Sequence, residues 1–592
     1  MSKHLGLQDC FFQKPLNLKQ DGLVFRCSYR LTNLSLAKWG EQIGVDKAVG
    51  ELDYHALYTP WSDLGEQPMH YCEQDLRVMI AGIRNYKKLY KHIKDIPFTQ
   101  TGMPRRDIKN LGRKTKGFTA KVAKMQPKTA EEWKVYHATY AGGLTLINPD
   151  HAGILFQCHT PDAPGYINVS SDPDNPIAQR SVDRKSAYPA AMLEKYPCSE
   201  FFKTSTAPDW EDGNHHLCLL EFRNLKARYD VTPWSASKRI MIQGAKYNPD
   251  GLSKNNGKII KCDRYAGYFL ETDYQLLKMF YTWDECIVHS HRVALSDYMD
   301  KHVVEYMLKR YAAKTLRKTD PDPTMYNHEK ATLNSIYGLM GTALIHEDII
   351  EEGWEFHTRH KSDEEIIADL KKLQDFDYNN VLPYIWGCYV TSHQRLALMT
   401  TLARIGDTPK VALDKLSYTD TDSGKGSCTD DDMRIVDNIN RDIIEWTEKR
   451  LKDQGIDPEL ARPKDKKGRP QHLGTWENDA NYYEILYLRA KAYAYRQNKN
   501  DITHITLAGV PKAAGSILQS PADLKEGLYF DIFQSRKNLC QYIDGDNPQV
   551  IMPDGYRVTN KCGCVIRPTS YTLKLDNEYR QLIKYYISQK HH

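Results

Sequence analysis

The sequence predicts an α+β protein built from several domains, and three observations support this class. The chain has 592 residues, which is enough for several domains, each with its own core. Its composition, 41% hydrophobic and 27% charged, is ordinary for a globular protein. Helical and strand-like patterns are mixed without the regular strand–helix–strand rhythm of a parallel sheet.

The helices and strands are predicted from apolar spacing and from residue type. Amphipathic helices are predicted at 298–317, 391–407 and 430–455. The last of these has three acids in its first turn and a glycine at its end, as a helix should. Short β-rich runs predict strands within ILFQCHT, CLLEFRNL and THITLAGV.

Cysteine usage and hydropathy bear on the compartment. The thirteen cysteines include no CxxC pair, so neither a zinc ribbon nor a disulfide framework is indicated. No apolar run is long enough to span a bilayer, and the N-terminus lacks the apolar core of a signal peptide. We therefore expect a cytoplasmic protein without a membrane partner.

Positive charge is concentrated in residues 84–128. Fourteen Lys and Arg against two acids give this stretch a charge of +12, so the rest of the chain carries −7 of the overall +5. Four aromatic residues are interleaved with these charges: Tyr86, Tyr90, Phe98 and Phe118. This alternation favours a surface that follows a nucleic-acid backbone, and a solvated charged helix followed by a linker is the alternative.

The segment SYTDTDSGKG places Asp420 and Asp422 two residues apart. Residues at this spacing face the same side of a strand, so both carboxylates are expected to project together before Ser-Gly-Lys-Gly turns the chain. Neighbouring carboxylates repel each other unless a cation lies between them, and Mg²⁺ prefers carboxylates plus substrate phosphates. For an isolated motif of this kind, an exposed acidic turn is the alternative.

Three further motifs carry polar residues that suit the same chemistry. RSVDRKSAYPAAM supplies Asp183, a third carboxylate, and a two-metal site needs carboxylates from more than one strand. KATLNSIYGLMG places Lys330, Asn334 and Tyr337 on one helix face, where a lysine can hold a triphosphate; a core helix with a polar edge is the alternative. LRAKAYAYR alternates Lys491 with Tyr493 along an expected strand.

Together these motifs resemble those of the family B DNA polymerases, which follow the order DxxSxYP, KxxxNSxYG, YxDTDS and KxY. They occur here at 183–189, 330–338, 418–423 and 491–493. YAGG at 140–143 resembles the YxGG element of the protein-primed subgroup, which serves bacteriophages, some other viruses and linear plasmids. The resemblance runs from roughly residue 34 to the C-terminus.

The resemblance implies a multidomain right-hand polymerase, with an antiparallel palm sheet, helical fingers and a thumb, beside the remnant of a ribonuclease-H-like exonuclease domain. The implied domains are a partial exonuclease-like domain at 1–105, the first part of the palm at 106–195, an insertion for contact with a priming protein at 196–300, fingers at 301–340, a second insertion for strand displacement and processivity at 341–385, the second part of the palm at 386–510 and a thumb at 511–592.

The resemblance also implies a role for each matched residue. Two Mg²⁺ ions, for which Mn²⁺ could substitute, would be held by Asp183 and Asp422, with Asp420 close by. The incoming nucleotide would be bound by Tyr188, Lys330, Asn334, Tyr337 and, on the finger loop, Lys318. The primer terminus would be held by Lys491 and Tyr493, and the template would be touched by Tyr140, Gly142 and Gly143.

The implied activity is template-directed DNA synthesis from deoxynucleoside triphosphates in the replication of a phage, viral or plasmid genome. The implied partners are primer-template DNA and a terminal priming protein. Relatives also carry a 3′–5′ exonuclease with DxE, NxxFD and YxxxD motifs, of which only the third occurs here, as Tyr71 and Asp75, while residues 1–70 contain neither of the others. We expect no proofreading by this chain, with the missing half on a separate chain or lost by truncation.

A reverse transcriptase or an RNA polymerase is a rival enzyme. A reverse transcriptase has adjacent aspartates in its palm hairpin, whereas Thr421 separates the pair here, and Tyr188 argues for deoxyribonucleotides over ribonucleotides. A DNA-binding replication accessory with an inactive polymerase site is the rival from another class. The intact set of carboxylates argues against it.

Overall fold

The computed structural model describes residues 17–20, 23–32, 34–46, 66–90, 92–99, 101–157, 178–235, 240–242, 245–247, 251–255, 257–320, 324–352, 355–373, 381–507, 518–526, 528–531, 541–543, 549–551, 557–559 and 570–573. Two compact units make up the chain. The first comprises Met1–Arg106 with Leu528–Leu573, and the second comprises Asp107–Gly527 with Lys574–His592.

Each of the seven expected domains includes residues that lie outside the described ranges. The longer stretches are residues 1–16 and 47–65 of the expected exonuclease-like domain, 158–177 of the first part of the palm, 374–380 of the second insertion, and most of the expected thumb at 511–592.

The α-helices that the structure describes are, in chain order, α1 (Ser28–Thr32), α2 (Leu36–Ile43), α3 (Glu66–Leu89), α4 (Gly102–Lys114), α5 (Phe118–Met125), α6 (Ala130–Thr139), α7 (Ala187–Ala191), α8 (Glu271–Phe280), α9 (Lys301–Arg317), α10 (Thr324–Gly341), α11 (Asp363–Leu373), α12 (Tyr384–Leu402), α13 (Pro409–Lys415) and α14 (Asp430–Asp453).

The β-strands are β1 (Asn17–Gln20), β2 (Leu23–Arg26), β3 (Thr145–Ile147), β4 (Leu155–Gln157), β5 (Ala178–Arg184), β6 (Lys195–Pro197), β7 (Phe202–Thr204), β8 (His215–Ala227), β9 (Ile240–Ile242), β10 (Ala245–Tyr247), β11 (Ser253–Asn255), β12 (Lys258–Leu270), β13 (Tyr281–Thr282), β14 (Glu285–Ala294), β15 (Ser296–Tyr298), β16 (Asp348–Glu352), β17 (Glu355–Arg359), β18 (Leu416–Asp420), β19 (Ser423–Cys428), β20 (Trp476–Tyr482), β21 (Glu484–Arg489), β22 (Ala492–Arg496), β23 (His504–Leu507), β24 (Leu528–Asp531), β25 (Gln541–Ile543), β26 (Gln549–Ile551), β27 (Arg557–Thr559) and β28 (Ser570–Leu573).

The first unit contains α1–α3 and short antiparallel strand pairs. β1 pairs with β2, β24 with β28, and β26 lies between β25 and β27. Helix α2 begins after Ser35, whose hydroxyl accepts a hydrogen bond from the Lys38 amide, and ends at Gly44 with φ +70°. Trp39 of α2 packs against Gly82 of α3, where any larger side chain would collide with the indole ring. α2 and α3 thus pack together within this unit.

The second unit is organised around three antiparallel sheets. The central sheet has the strand order β20-β5-β19-β18-β3, and a second sheet has the order β23-β22-β21-β4. The third has the order β11-β12-β8-β14-β7, with β13 also paired to β8. This mixture of helices and antiparallel sheets confirms the predicted α+β class.

The helix α12 forms much of the core of the second unit. Its first residues, YIWGCYV, are buried on every side of the helix. A helix that is apolar all round shows no amphipathic spacing, so the predicted start at residue 391 was wrong by seven residues. Predictions for 298–317 and 430–455 are confirmed as α9 and α14, and the three strand predictions correspond to β4, β8 and β23.

In the described part of the chain, no helix combines the length and apolar character needed to cross a membrane.

Glycines in β19 allow close packing of the central sheet. A Cβ atom on Gly426 would lie 2.3 Å from the carbonyl oxygen of Lys415, and one on Gly424 would lie 2.4 Å from Cδ2 of Leu402. The Leu402 side chain can rotate, but the Lys415 carbonyl is backbone and cannot move without distorting the chain between α13 and β18.

We predict that Gly426→Ala destabilises the chain by about 1–3 kcal/mol, because overpacking must displace backbone atoms. The matched control is Gly338→Ala in α10, where a Cβ meets no atom within 4 Å and where alanine favours the helix. Denaturant unfolding of the full chain measures both variants. A Gly426→Ala chain as stable as the Gly338→Ala chain would contradict the packing argument.

Candidate active site

The motif at 417–426 forms a hairpin whose turn is Thr421 and Asp422. Strand β18 ends at Asp420, β19 begins at Ser423, and these two residues pair with each other. Thr421 adopts φ +59°, and the Asp422 amide donates a 2.6 Å hydrogen bond to the Asp420 carbonyl. The prediction of a strand through Asp422 followed by a turn at Ser-Gly-Lys-Gly was wrong. Those four residues are buried in β19, where the glycines serve packing rather than turning.

The register of the central sheet brings Asp183 to this hairpin. Ser423 pairs with Asp420 on one side and with Asp183 of β5 on the other. Directly paired residues project to the same face of an antiparallel sheet. The Arg184 amide also donates a 2.8 Å hydrogen bond to the Asp422 carbonyl, which ties the end of β5 to the turn. The structure therefore places Asp183, Asp420 and Asp422 together, although 237 residues separate the first from the second.

Burial and mutual repulsion weaken the acidity of two of these carboxyl groups. Burial, together with repulsion from the nearby Asp422, Asp479 and Glu477 carboxylates, raises the pKa of Asp183 to about 7. Burial likewise raises the pKa of Asp422, with a further contribution from Asp420. Both groups resist ionisation in the free chain, as expected of like charges that share a site.

The two carboxylates form one wall of a cavity of about 520 Å³. Two helices, α9 and α10, supply the facing residues. Among the predicted nucleotide-binding residues, those that line this cavity are Tyr188, Lys318, Lys330 and Asn334. Acidic groups on the sheet thus face basic groups on the helices across a space large enough for a nucleotide-sized ligand.

Lys314 also lines the cavity and was missed by the sequence analysis. Its ammonium donates a 2.8 Å hydrogen bond to the Ser186 hydroxyl. Burial, together with repulsion from Lys330 and Lys318, lowers the pKa of Lys314 to about 8. Lys314 and Lys318 are four residues apart, a spacing that places both on one helix face and that could have identified Lys314.

Lys318 is already paired with a carboxylate. Its ammonium lies 2.9 Å from one carboxylate oxygen of Glu477, and the other oxygen of Glu477 lies 3.3 Å from the Lys185 ammonium. An anionic ligand would have to compete with Glu477 for this lysine.

Tyrosines from three segments meet beside the cavity. The rings of Tyr188 and Tyr337 stack with centroids 4.1 Å apart and an interplanar angle of 18°. The Tyr337 hydroxyl lies 2.7 Å from the Tyr140 hydroxyl. A Cβ on the adjacent Gly338 would meet nothing within 4 Å, so the helix surface beside the stack is open. The structure thus joins two predicted nucleotide residues to one predicted template residue.

The loop at 140–143 is held from behind by Arg395 of α12. Its guanidinium donates hydrogen bonds to the carbonyl oxygens of Ala141 and Gly142, and it pairs at 2.6 Å with the Asp273 carboxylate. Both charged side chains are at most 5% exposed. A Cβ on Gly143 would lie 2.5 Å from the Thr421 hydroxyl, so glycine lets the loop approach the hairpin turn.

Lys491 and Tyr493 lie at the other side of the hairpin. Lys491 has φ +56° and occupies the turn between β21 and β22, so the prediction that it shares a strand with Tyr493 was wrong. Its ammonium lies 2.9 Å from an Asp420 oxygen. The Tyr493 ring lies 5.2 Å from that of Tyr418.

Backbone strain is concentrated here. In the described ranges, the non-glycine residues with clearly positive φ are Ser186, Asn224, Thr421 and Lys491. Three of these four lie at the site, and such conformations persist only where the surroundings impose them.

The predicted nuclease residues lie in the first unit, on α3. Tyr71 is 6% exposed and Asp75 is half-buried. One helical turn separates them, so they share one face of α3.

The donor set fits magnesium. Across the described residues, no group of three or more His, Cys, Asp or Glu side chains is arranged to hold a metal ion alone. Mg²⁺ in phosphate-handling sites is instead held by one or two carboxylates together with waters and substrate phosphates. Asp183 and Asp422, half-buried and mutually repelling at the wall of an open cavity, supply such a pair.

The fold is similar to that of solved Phi29 DNA polymerases. The structure of "Phi29 DNA polymerase complexed with primer-template DNA and incoming nucleotide substrates" matches with a TM-score of 0.58 and 15% identity, covering 93% of this chain and 80% of that chain. The post-translocation binary complex with primer-template DNA matches at 0.56 and 14%, with the same coverage. The orthorhombic crystal form matches at 0.56 and 15%, covering 90% and 80%. No protein-family model and no curated protein matches the chain.

We predict that Arg395→Met destabilises the chain by about 3–5 kcal/mol, because it leaves the Asp273 charge buried without its partner. The control is Arg404→Met, which breaks an exposed 3.1 Å pair with Asp442 and should cost at most about 1 kcal/mol. Denaturant unfolding measures both. Restoring stability in the double variant Arg395→Met/Asp273→Asn would assign the loss to the unpaired charge, and equal losses in the two single variants would contradict the prediction.

Proposed function

We propose that this chain is a DNA-directed DNA polymerase that adds deoxynucleotides to a primer. One observation carries the proposal: Asp183 and Asp422 face Lys314, Lys318 and Lys330 across a single cavity. Carboxylates suited to divalent cations opposite cations suited to phosphates form an arrangement for phosphoryl transfer. The likeness to the Phi29 polymerase fold supports the same function.

In the proposed reaction, the primer 3′-hydroxyl attacks the α-phosphate of the incoming nucleotide and pyrophosphate leaves. Asp183 and Asp422 would hold two Mg²⁺ ions, with Asp420 beside them. When bound, such ions lower the pKa of the attacking hydroxyl and neutralise charge on the departing phosphates.

The nucleotide would lie between the sheet and the two helices. Lys330 and Lys314 would bind the triphosphate, and Lys318 would do so after leaving Glu477. The stacked Tyr188 would support the sugar and exclude a 2′-hydroxyl, while Tyr337 would pack beside the base pair. Positioning of this kind supplies most of what the protein must contribute to phosphoryl transfer.

The nucleic acid would contact the two borders of the hairpin. The loop at 140–143 would touch the template, because Gly142 and Gly143 are exposed beside the Thr421 turn. Lys491 is also exposed and could exchange Asp420 for a primer phosphate, with Tyr493 supporting it.

The sheets and helices would then correspond to polymerase subdomains. We assign the central sheet to the palm and the helices α9 and α10 to the fingers. The sheet built on β8, β12 and β14 would be the insertion that meets a terminal priming protein.

Asp422→Asn is predicted to reduce primer extension by more than about 100-fold, since even the outer partners of metal ligands cost about 10- to 100-fold when removed. Binding of primer-template DNA should be nearly unchanged. Asp414→Asn, which alters an exposed carboxylate paired with Lys410, is the control and should extend normally. Primer extension and DNA-binding titrations measure the two properties separately.

Normal extension by Asp422→Asn would refute the assignment of the metal ligands. Absence of extension by the natural chain, with DNA binding intact, would favour the replication accessory instead.

We also propose that this chain does not trim mismatched primer ends. Support comes from the sequence, because residues 1–70 lack the DxE and NxxFD motifs that accompany Tyr71 and Asp75 in proofreading relatives. A 3′-labelled mismatched primer, incubated with Mg²⁺ and without nucleotides, should stay intact for as long as with the Asp75→Ala chain. Prompt shortening by the natural chain alone would contradict the proposal.

A further inference from the structure

A buried lysine lies on the same face of the central sheet as the carboxylates. Lys425 of β19 pairs with Ser181 of β5 on one side and with Tyr418 of β18 on the other. Two residues earlier along β19, Ser423 pairs with Asp183 and Asp420. Because residues two apart in a strand share a face, Lys425 lies one row behind the carboxylates and points to their side of the sheet.

The Lys425 side chain is held away from solvent. The residue is 7% exposed, and its ammonium donates a 2.8 Å hydrogen bond to the buried Ser181 hydroxyl. Burying a lysine in this way is unfavourable unless opposite charges lie close by. Burial lowers the pKa of Lys425, and four carboxylates oppose that effect and favour the charged ammonium: Asp479, Asp183, Asp420 and Asp422.

Lys425 in turn acts on the two aspartates. Lys425 lowers the pKa of both Asp183 and Asp422, opposing the rise that burial and mutual repulsion cause. One fixed positive charge therefore offsets part of the repulsion at the site.

Lys491, the exposed lysine beside Asp420, differs from Lys425 in its freedom to move. Lys491 pairs directly with Asp420, but its side chain is 56% exposed and can leave for another partner. Lys425 stays when a cation arrives, so its charge must act on that cation.

We propose that Lys425 is a positioning residue, a built-in counter-ion that holds the carboxylates together in the metal-free chain and limits how tightly Asp183 and Asp422 bind divalent cations. This inference rests on the proposed function of the two aspartates. A fixed positive charge one row away repels an incoming divalent ion while it stabilises the empty site. Its removal should therefore weaken the metal-free chain and tighten metal binding.

The test is a Mg²⁺ titration of the full chain without DNA or nucleotide. The shift in unfolding temperature at each Mg²⁺ concentration measures binding. In Lys425→Met, the unfolding temperature without Mg²⁺ should fall, and the Mg²⁺ concentration for half of the maximal shift should drop by at least about threefold. The Mg²⁺ concentration for half-maximal primer extension should fall in parallel. Lys425→Gln, which keeps a donor for Ser181, should shift both midpoints in the same direction.

The control is Lys415→Met. Lys415 donates to both carboxylate oxygens of Asp432 at 3.1 and 3.0 Å, and it does not line the cavity. Its loss should lower the unfolding temperature without moving the Mg²⁺ midpoint. An unchanged or raised midpoint in both Lys425 variants would overturn the inference and leave Lys425 a structural residue.

The Mg²⁺ titration of Asp422→Asn distinguishes a wrong role for Lys425 from a wrong assignment of the metal ligands. If Asp422→Asn gave the same Mg²⁺-induced shift as the natural chain, the cation would bind elsewhere, and both the metal assignment and this inference would be overturned. If Asp422→Asn lost the shift while the Lys425 variants kept the natural midpoint, only the role of Lys425 would be wrong.

Discussion

Repulsion between Asp183 and Asp422 is the constraint on which the rest of the site depends. Asp183 belongs to β5 and Asp422 to the turn just before β19, and the pairing of Ser423 with Asp183 brings the two carboxylates together at one end of the central sheet. The Arg184 amide donates a 2.8 Å hydrogen bond to the Asp422 carbonyl, so the backbone beside Asp183 is tied to the turn that carries Asp422. The chain must therefore surround this pair with positive charge, and it does so with lysines of two kinds.

The two kinds of lysine differ in whether the ammonium group can leave its carboxylate partner. Lys491 and Lys318 are exposed and paired with Asp420 and Glu477, so a ligand phosphate can compete for them at little cost. Lys425 is buried, so its ammonium cannot leave its present partners for bulk water. Exchangeable cations suit ligand capture, whereas a fixed cation suits maintenance of the empty site. The proposed roles of these lysines thus differ because their burial differs.

Local spacing predicted much of this site, and strand register accounts for what it missed. Helical periodicity placed Lys330, Asn334 and Tyr337 on one face, because three and four residues complete a helical turn whatever the helix packs against. The hairpin expectation failed at Asp422, since a strand pattern cannot show where Thr421 reverses the chain. Lys425 is one of 81 basic residues in the sequence, and only its pairing with Ser181 reveals its place among the acids.

The strained turn needs support, and the buried helix α12 provides it. A non-glycine residue at positive φ costs about 1–3 kcal/mol, so Thr421 holds its conformation only if its surroundings impose it. Gln394 of α12 donates a 3.0 Å hydrogen bond to the Thr421 carbonyl and accepts one of 2.6 Å from the Arg184 guanidinium. The next residue, Arg395, holds the carbonyls of the loop at 140–143. Gln394 and Arg395, consecutive polar residues of α12, thus support both the Thr421 turn and the loop at 140–143 that approaches it.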